Sequence, residues 1–325
     1  METITESVSY LDEFETHERI IKGLAPSSVR GYRRHVEEFL AWREGNSLAG
    51  QATRQDIEGY LAWCFYRNNS SSTRTTKTVA LQNYYKFLKY IGVQDEDPTD
   101  TLPRMRSVRQ FMASFNRDEI KKMLAVCDVT CEKGLRDAVF LILGSLAGFR
   151  VSEITGFNID QISDDGKDID LVIPKTKRGA GRSVYLWKKP GTYIRQLLQA
   201  RLAAGARTGD PLLVSFFKGG RPRGNCRLST KALDNLIKHL ARKAKIRKPA
   251  IKCHMMRCAH ANQLLHIRGY TLPAIMERMG WLQLETAGRY LTRRERVHRE
   301  FPSLHAYWSD LWTKGESAAD SNQAE

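Results

Sequence analysis

The chain has 325 residues, with 52 lysines and arginines against 36 aspartates and glutamates, and a net charge of +16. The imbalance is local, because the first 105 residues hold 13 basic and 15 acidic residues while the remainder holds 39 basic and 21 acidic residues. A surplus of that size on the second part predicts a polyanionic partner, and an ordinary solvated basic surface is the alternative.

The composition argues against a secreted, a membrane-spanning or a disulfide-bonded protein. The first twenty residues are polar and acidic, unlike a signal peptide, and the longest apolar stretch, 138–149, is shorter than the roughly 20 residues that span a bilayer. Six scattered cysteines with no C-x-x-C pair predict reduced thiols in a cytoplasmic protein that binds no membrane. The length favours two domains.

The first third of the chain is predicted to be helical, because apolar residues recur there at helical intervals over 27–43, 54–67 and 73–91. Ser27 or Ser28 is expected to cap the first helix, and Thr53 with Asp56 resembles a capping box before the second.

A polar loop at 68–72 opens the third of these helices. Arg74 and Lys77 lie in its first turns, where hydroxyls, cations and a helix N-terminus favour a phosphate contact. An ordinary capped surface helix explains the same pattern equally well. A linker is predicted at about 94–113, and its arginines Arg106 and Arg109 are candidate contacts for a polyanionic partner.

The second domain, 114–325, is predicted to be α-rich with one small β element. Asn116 can cap a helix that runs to about 126, and an apolar segment at 135–147 predicts a buried helix. Strands at 168–174 and 182–186 form an antiparallel hairpin.

A strongly basic helix is predicted at 229–245. Arginine and lysine side chains on such a helix suit the major groove, although a solvated basic face remains the alternative. The candidate DNA contacts in and before this helix are Arg223, Arg227, Lys231, Lys238, Arg242 and Lys243. Near the chain's end an apolar stripe predicts a helix at 301–312, followed by a disordered tail at 313–325.

One group of residues has the composition of a phosphoryl-transfer site that needs no metal. Two arginines can clamp a phosphate, a histidine can move a proton near neutral pH, a lysine can protonate a leaving oxygen, and a tyrosine can attack phosphorus. The group consists of Arg150, Lys177, His254, Arg257, Trp281 and Tyr290. No phosphate-binding glycine loop and no acidic metal cluster accompanies it, so neither a metal nor another cofactor is expected.

This arrangement resembles the tyrosine recombinase family, and the tryptophan at 281 points to its Cre-like branch. The matching segments, in the family's order, are Gly-Phe-Arg-Val-Ser-Glu-Ile at 148–154, Pro-Lys-Thr-Lys-Arg at 174–178, His-Met-Met-Arg at 254–257, Met-Gly-Trp at 279–281 and Arg-Tyr-Leu at 289–291. They extend over roughly residues 115–295, and the N-terminal third resembles the family's core-binding domain only in size and helical character.

The resemblance implies a mainly α fold in which two domains clamp a duplex: a SAM-like helical core-binding domain at 1–105 and a catalytic domain at 114–325. It implies that Tyr290 attacks a phosphodiester to form a 3′-phosphotyrosyl link, with Arg150 and Arg257 on the phosphate and His254 aiding the tyrosine. Lys177 would be the general acid, with Lys175 as a rival. Trp281 would donate to the phosphate, and Glu153 would orient the site.

The resemblance further implies a homotetramer on two double-stranded DNA sites, each with an inverted repeat, and it is compatible with an accessory protein. The 301–312 helix would dock on a neighbouring subunit or on its own domain. Two other functions stay open: a type IB topoisomerase-like nicking-closing enzyme, which shares the chemistry, and a DNA-binding protein with a silent site. Integration, excision and resolution share one active site and are not distinguished.

Overall fold

The computed structural model describes residues 3–48, 50–103, 113–174, 181–186, 188–266 and 271–288. Within these ranges the chain is mainly helical with small antiparallel sheets, which confirms the predicted fold class, and it divides between residues 109 and 110 into two compact units.

The first unit is a bundle of helices around an aromatic core. The helices are α1 (Thr3–Ile20), α2 (Pro26–Gly45), α3 (Arg54–Tyr66) and α4 (Ser71–Tyr90). Rings from different helices meet edge to face, with centroids 5.3 Å apart for Phe14 and Tyr84 and 5.2 Å apart for Phe39 and Tyr60. Such pairs add specific contacts to the burial of apolar area.

Helix α1 was not predicted, because its acidic sequence has a weak apolar pattern. Leu11 and Phe14 are nevertheless buried in the core. The predicted serine cap on α2 was also wrong, because that helix begins at Pro26 after Ala25 and has no side-chain cap. A proline in the first turn has no N–H to satisfy, so it removes part of the need for a cap.

Other local predictions hold in this unit. The capping box of α3 is confirmed, since Thr53 N donates to Asp56 Oδ2 over 2.9 Å and Asp56 N donates to Thr53 Oγ1 over 3.3 Å. In the segment predicted as a linker, Gln94 and Thr99 are buried and Leu102 packs against the first unit's core.

The second unit contains more helices than the first, together with all the described strands. They are α5 (Arg117–Ala125), α6 (Glu132–Ser145), α7 (Val151–Gly156), β1 (Ile162–Asp164), β2 (Ile169–Ile173), β3 (Arg182–Leu186), α8 (Lys188–Ala203), β4 (Val214–Phe216), β5 (Pro222–Arg227), α9 (Thr230–Lys243), α10 (His254–His266), α11 (Leu272–Met279) and α12 (Leu284–Gly288), with a short 3-10 turn at Ile159–Gln161. The predicted cap of α5 is confirmed, since Glu119 N donates to Asn116 Oδ1 over 2.8 Å.

Helix α6 is the centre of this unit. Every residue from Gly134 to Ser145 is buried, as expected for a helix that is surrounded on all sides. Helices α8 and α10 pack against it. A Cβ at Gly144 would lie 2.6 Å from Met256 Cε, so the glycine allows α10 to approach closely. This packing brings the start of α10 beside the turn that follows α6.

The β structure is richer than predicted. The predicted hairpin is present as β2 and β3, which pair antiparallel so that Ile173 faces Arg182, but β1 extends it to a three-stranded sheet. Strands β4 and β5 form a separate antiparallel pair. Their segment contains several glycines and cations, so it lacked the apolar alternation that marks a strand.

Candidate active site

Arg150 is placed by a tight turn at the end of α6. Gly148 has a φ of +70°, a left-handed conformation that favours glycine, and Arg150 then becomes the residue before α7. Its backbone N and its Nη1 donate to the two carboxylate oxygens of Glu153 over 2.7 and 2.8 Å, and its Nη2 donates to Gly280 O over 2.9 Å. About a third of the Arg150 side chain, 36%, stays exposed.

Arg182 completes this network and was missed by sequence reasoning. Its Nη1 and Nη2 donate to the Oε1 and Oε2 atoms of Glu153 over 3.1 and 2.7 Å, a bidentate pair in which Arg182 is 4% exposed. A signal was available, because strand alternation places Arg182 on the same buried face as Val184 and Leu186. A charged residue on an inward face needs a buried partner.

The charge state of Glu153 follows from these contacts. Burial of the carboxylate raises its pKa, but the hydrogen bonds and charges of Arg182 and Arg150 outweigh burial and bring the pKa to about 2. Glu153 is therefore an anion shared by two guanidinium groups. The three side chains together keep one net positive charge, which suits a phosphate ligand.

Arg257 also contacts the turn that follows α6. It lies on the first turn of α10 and is 2% exposed. Its Nη1 donates to Gly148 O and its Nη2 donates to Met279 O. Two backbone carbonyls from different turns thus orient one guanidinium plane, because the donors of arginine have a rigid geometry.

His254 begins α10 and has an exposed side chain. Its pKa is lowered from the ordinary value, first by partial desolvation and then by the positive charges of Arg257 and Arg150. The imidazole is accordingly neutral at neutral pH and can accept a proton.

Trp281 follows the C-terminal end of α11. Gly280 ends that helix with a φ of +62°, and Trp281 N donates to Met276 O over 2.8 Å. The side chain is 6% exposed and packs with Ile275 and Met279 in a small apolar cluster.

These side chains meet in one pocket of about 320 Å³. Its lining includes Arg150, His254, Arg257 and Trp281, and Thr286 of α12 closes another part of it. Residues from the α6–α7 turn, α10 and the segment after α11 therefore converge, although the α6–α7 turn is more than a hundred positions from the other two segments in the sequence. The predicted residues Lys175, Lys177 and Tyr290 lie outside the described residues, as do the 301–312 helix and the 313–325 tail.

The candidate DNA contacts of the first unit differ in their exposure. Lys77 is buried, with its Nζ 2.7 Å from Glu38 Oε1 and 3.4 Å from Cys64 Sγ, so its predicted phosphate contact is withdrawn. Arg74 is half-buried, and its guanidinium stands 4.9 Å over the Phe65 ring. Arg106 and Arg109 lie outside the part of the chain that is described.

In the second unit the basic candidates all lie at the surface. Four of them, Lys231, Lys238, Arg242 and Lys243, are exposed on α9, whose apolar side is buried through Leu233, Ile237, Leu240 and Ala241. Lys243 Nζ donates to Val126 O, and Arg242 Nη2 lies 3.2 Å from His239 Nδ1.

The remaining two candidates lie on β5. Arg223 is exposed with its guanidinium 4.7 Å over the Phe217 ring. Arg227 donates to Thr155 O and Asn158 Oδ1, so it ties β5 to the end of α7 while remaining at the surface.

The described residues contain neither a cluster suited to a metal ion nor a helix suited to crossing a membrane. Within those ranges, no group of three or more histidine, cysteine, aspartate or glutamate side chains is arranged to hold a metal ion. None of the helices described there is both long and apolar enough to cross a membrane. The six cysteines, all of them described, are free thiols.

Comparison with known proteins gives two family matches. A profile of the phage integrase family matches residues 113–296, and a profile of the phage integrase N-terminal SAM-like domain matches residues 11–91. The tyrosine recombinase XerD of Ralstonia nicotianae is 26% identical over 288 residues, which cover 87% of this chain and 88% of that protein. The tyrosine recombinase XerD of Pseudomonas aeruginosa is 27% identical over 272 residues, which cover 83% of this chain and 87% of that protein.

Solved structures give the same fold. The XerH site-specific recombinase bound to its difH substrate in a pre-cleavage complex has a TM-score of 0.65 at 16% identity, covering 90% of this chain and 84% of that one. A λ integrase tetramer bound to a Holliday junction has a TM-score of 0.66 at 14% identity, covering 88% of this chain and 77% of that one.

Proposed function

The chain belongs to the phage integrase family and is a site-specific tyrosine recombinase, and on this basis we propose how its residues divide the reaction. The observation that carries the proposal is the convergence of Arg150, His254, Arg257 and Trp281 in one pocket. In this proposal the two guanidiniums bind the non-bridging oxygens of a DNA phosphodiester and stabilise the charge that develops at phosphorus. The Trp281 indole contributes packing and a donor.

Tyr290 is the proposed nucleophile. Its Oη attacks phosphorus, the bond from phosphorus to the 5′ oxygen breaks, and a 3′-phosphotyrosyl link and a free 5′-hydroxyl result. Helix α12 supports this role, because Thr286 lines the pocket and the helix ends at Gly288, two residues before the tyrosine. An unperturbed tyrosine has a pKa of about 10, so a base is needed, and His254 is placed to accept the proton.

Lys177 is the proposed general acid, with Lys175 as its rival. The ends of its hairpin support this assignment, since Ile173 pairs with Arg182 and Arg182 binds Glu153 beside Arg150. The turn that contains both lysines therefore begins and ends next to the site. In the second half of the reaction the 5′-hydroxyl of another strand attacks the phosphotyrosyl link, and the tyrosine leaves with a proton returned to its oxygen.

The wider assembly is proposed by analogy with the relatives. A tetramer acting on two double-stranded DNA sites with inverted repeats agrees with the complexes of λ integrase and XerH with DNA, and with the chain's net charge of +16. We place the protein in the cytoplasm on the nucleoid, with residues 1–105 as the core-binding domain and the exposed cations of α9 and Arg223 on the DNA.

A covalent trap with fragmented host DNA tests this function. Protein and DNA are quenched in detergent, and the DNA that stays attached to protein is sequenced. Adducts at one inverted-repeat motif are expected from a site-specific recombinase. Adducts spread over unrelated sequences would contradict site specificity and favour a nicking-closing enzyme, and bound DNA without adducts would contradict the proposed chemistry.

A further inference from the structure

Two turns supply the backbone carbonyls that hold the site arginines. The turn after α6 gives Gly148 O to Arg257, and the turn after α11 gives Met279 O to Arg257 and Gly280 O to Arg150. The two turns are more than 120 positions apart in the sequence. The spacing of the two guanidiniums consequently depends on how firmly these turns are held relative to each other.

Besides Arg257, a second buried side chain bridges the two turns. His260 of α10 is 4% exposed, its Nδ1 lies 3.2 Å from Ser145 O at the end of α6, and its Nε2 lies 3.4 Å from Arg278 Nε near the end of α11. Its ring also packs directly under the first turn, since a Cβ at Gly148 would lie 2.4 Å from His260 Cδ2. No other role in the proposed reaction uses this histidine.

The hydrogen bonds define the protonation state of the ring. A carbonyl oxygen at Nδ1 requires a donor there, and an arginine N–H at Nε2 requires an acceptor there, so the neutral Nδ1–H tautomer fits both partners. Burial, followed by the charge of Arg278, lowers the pKa of His260 to about 3, which agrees with a neutral ring. A neutral imidazole adds no further positive charge beside Arg257.

We propose that His260 is a positioning residue of the recombinase, which joins the end of α6 to the end of α11 and so sets the distance between Arg150 and Arg257. The inference rests on the proposed phosphate-binding roles of those two arginines. It predicts that loss of the two hydrogen bonds slows cleavage of bound DNA without weakening DNA binding.

The test compares His260→Phe with His260→Gln on a DNA fragment recovered from the covalent trap. Phenylalanine keeps an apolar ring of similar size but loses both hydrogen bonds. Glutamine can donate to Ser145 O from its amide nitrogen and accept from Arg278 at its oxygen. His35→Phe is the matched control, because His35 is a buried histidine of the first unit.

We expect His260→Phe to lower the single-turnover rate of adduct formation by about 10- to 100-fold at saturating protein, because small displacements of catalytic groups have effects of that size. We expect its Kd for the fragment to stay within about twofold of wild type, and His260→Gln to recover most of the rate, since it restores both bonds. His35→Phe should cleave at the wild-type rate.

Three outcomes would overturn the inference: a wild-type rate for His260→Phe, a His260→Gln variant as slow as His260→Phe, or a loss of rate that is explained entirely by a weaker Kd. If His260→Phe does not fold, Arg278→Met removes the second bond from the other side, and a wild-type rate for that variant overturns the inference equally. Wild-type protein that forms no adduct contradicts the proposed function itself, whereas wild-type adducts with an unaffected His260→Phe contradict only this inference.

Discussion

Replacing Glu153 by glutamine is expected to destabilise the protein by about 3 kcal/mol at neutral pH. The carboxylate is 11% exposed and accepts hydrogen bonds from Arg150 and from both terminal nitrogens of Arg182. Glutamine offers one oxygen and turns an amide donor toward a guanidinium, so the buried Arg182 and the partly exposed Arg150 lose their shared anion. Removing one partner of a buried ion pair costs about 3–5 kcal/mol.

The lowered pKa of Glu153 gives a second value for the free energy of unfolding that is lost in Glu153→Gln. Its depression from 4.5 to about 2 corresponds to about 3 kcal/mol at neutral pH. Because the folded-state pKa lies below the ordinary value, this stabilisation is complete above pH 4.5 and is lost as the pH falls toward 2. The difference between wild type and Glu153→Gln should therefore shrink under acid conditions.

Urea unfolding of the full chain at pH 7 and at about pH 3 measures both effects. Glu58→Gln is the matched control, because Glu58 is 48% exposed and pairs only at the surface with Arg54. Such exposed pairs contribute about 0.5 kcal/mol or less. A Glu153→Gln variant as stable as the Glu58→Gln control would refute the reasoning, and so would a difference that does not change with pH.

The remaining predictions concern single side chains. Gly280→Ala should destabilise the protein by about 1–3 kcal/mol and slow adduct formation, because the residue has a φ of +62° and its Cβ would lie 2.8 Å from Arg182 Nη1. Thermal melting and the covalent trap measure the two effects, and an unchanged melting temperature would contradict the prediction. Lys77→Met should leave the salt dependence of DNA binding unchanged, whereas Arg223→Ala should reduce the slope of log K against log salt concentration by about one. DNA-binding titrations at several salt concentrations test both variants, and equal slopes for the two would contradict the assignment. Because the pKa of His254 is lowered, the single-turnover cleavage rate should fall less between pH 7.5 and pH 6.5 than it would with a base of ordinary histidine pKa, and a fall as large as that of an unperturbed histidine would argue against this role.

The parts of the site that could be predicted are those encoded in short segments. The motifs around Arg150, His254 and Trp281 are local, and the structure places all three around one pocket. Capping boxes and the β2–β3 hairpin were likewise predictable, because their signals are contained within a few residues.

The parts that could not be predicted depend on tertiary packing. Arg182 acts through Glu153, 29 positions away in the sequence, and Lys77 is removed from the surface by Glu38, which lies 39 positions away. Helix α1 is stabilised by packing on α2 and α4 and not by a strong pattern of its own. The bridge made by His260 joins elements separated by more than a hundred residues, and no local signal marks it.

The most direct test of the central claim is to identify the amino acid that carries the DNA. Trapped adducts are trimmed with nuclease, digested with trypsin and analysed by mass spectrometry, using wild type, Tyr290→Phe and the control Tyr66→Phe, which changes a tyrosine that is 80% exposed in the first unit. We predict a nucleotide remnant on Tyr290 in wild type and in the control, and no adduct in Tyr290→Phe with DNA binding retained. An adduct on any other residue, or an adduct that persists in Tyr290→Phe, would contradict the account.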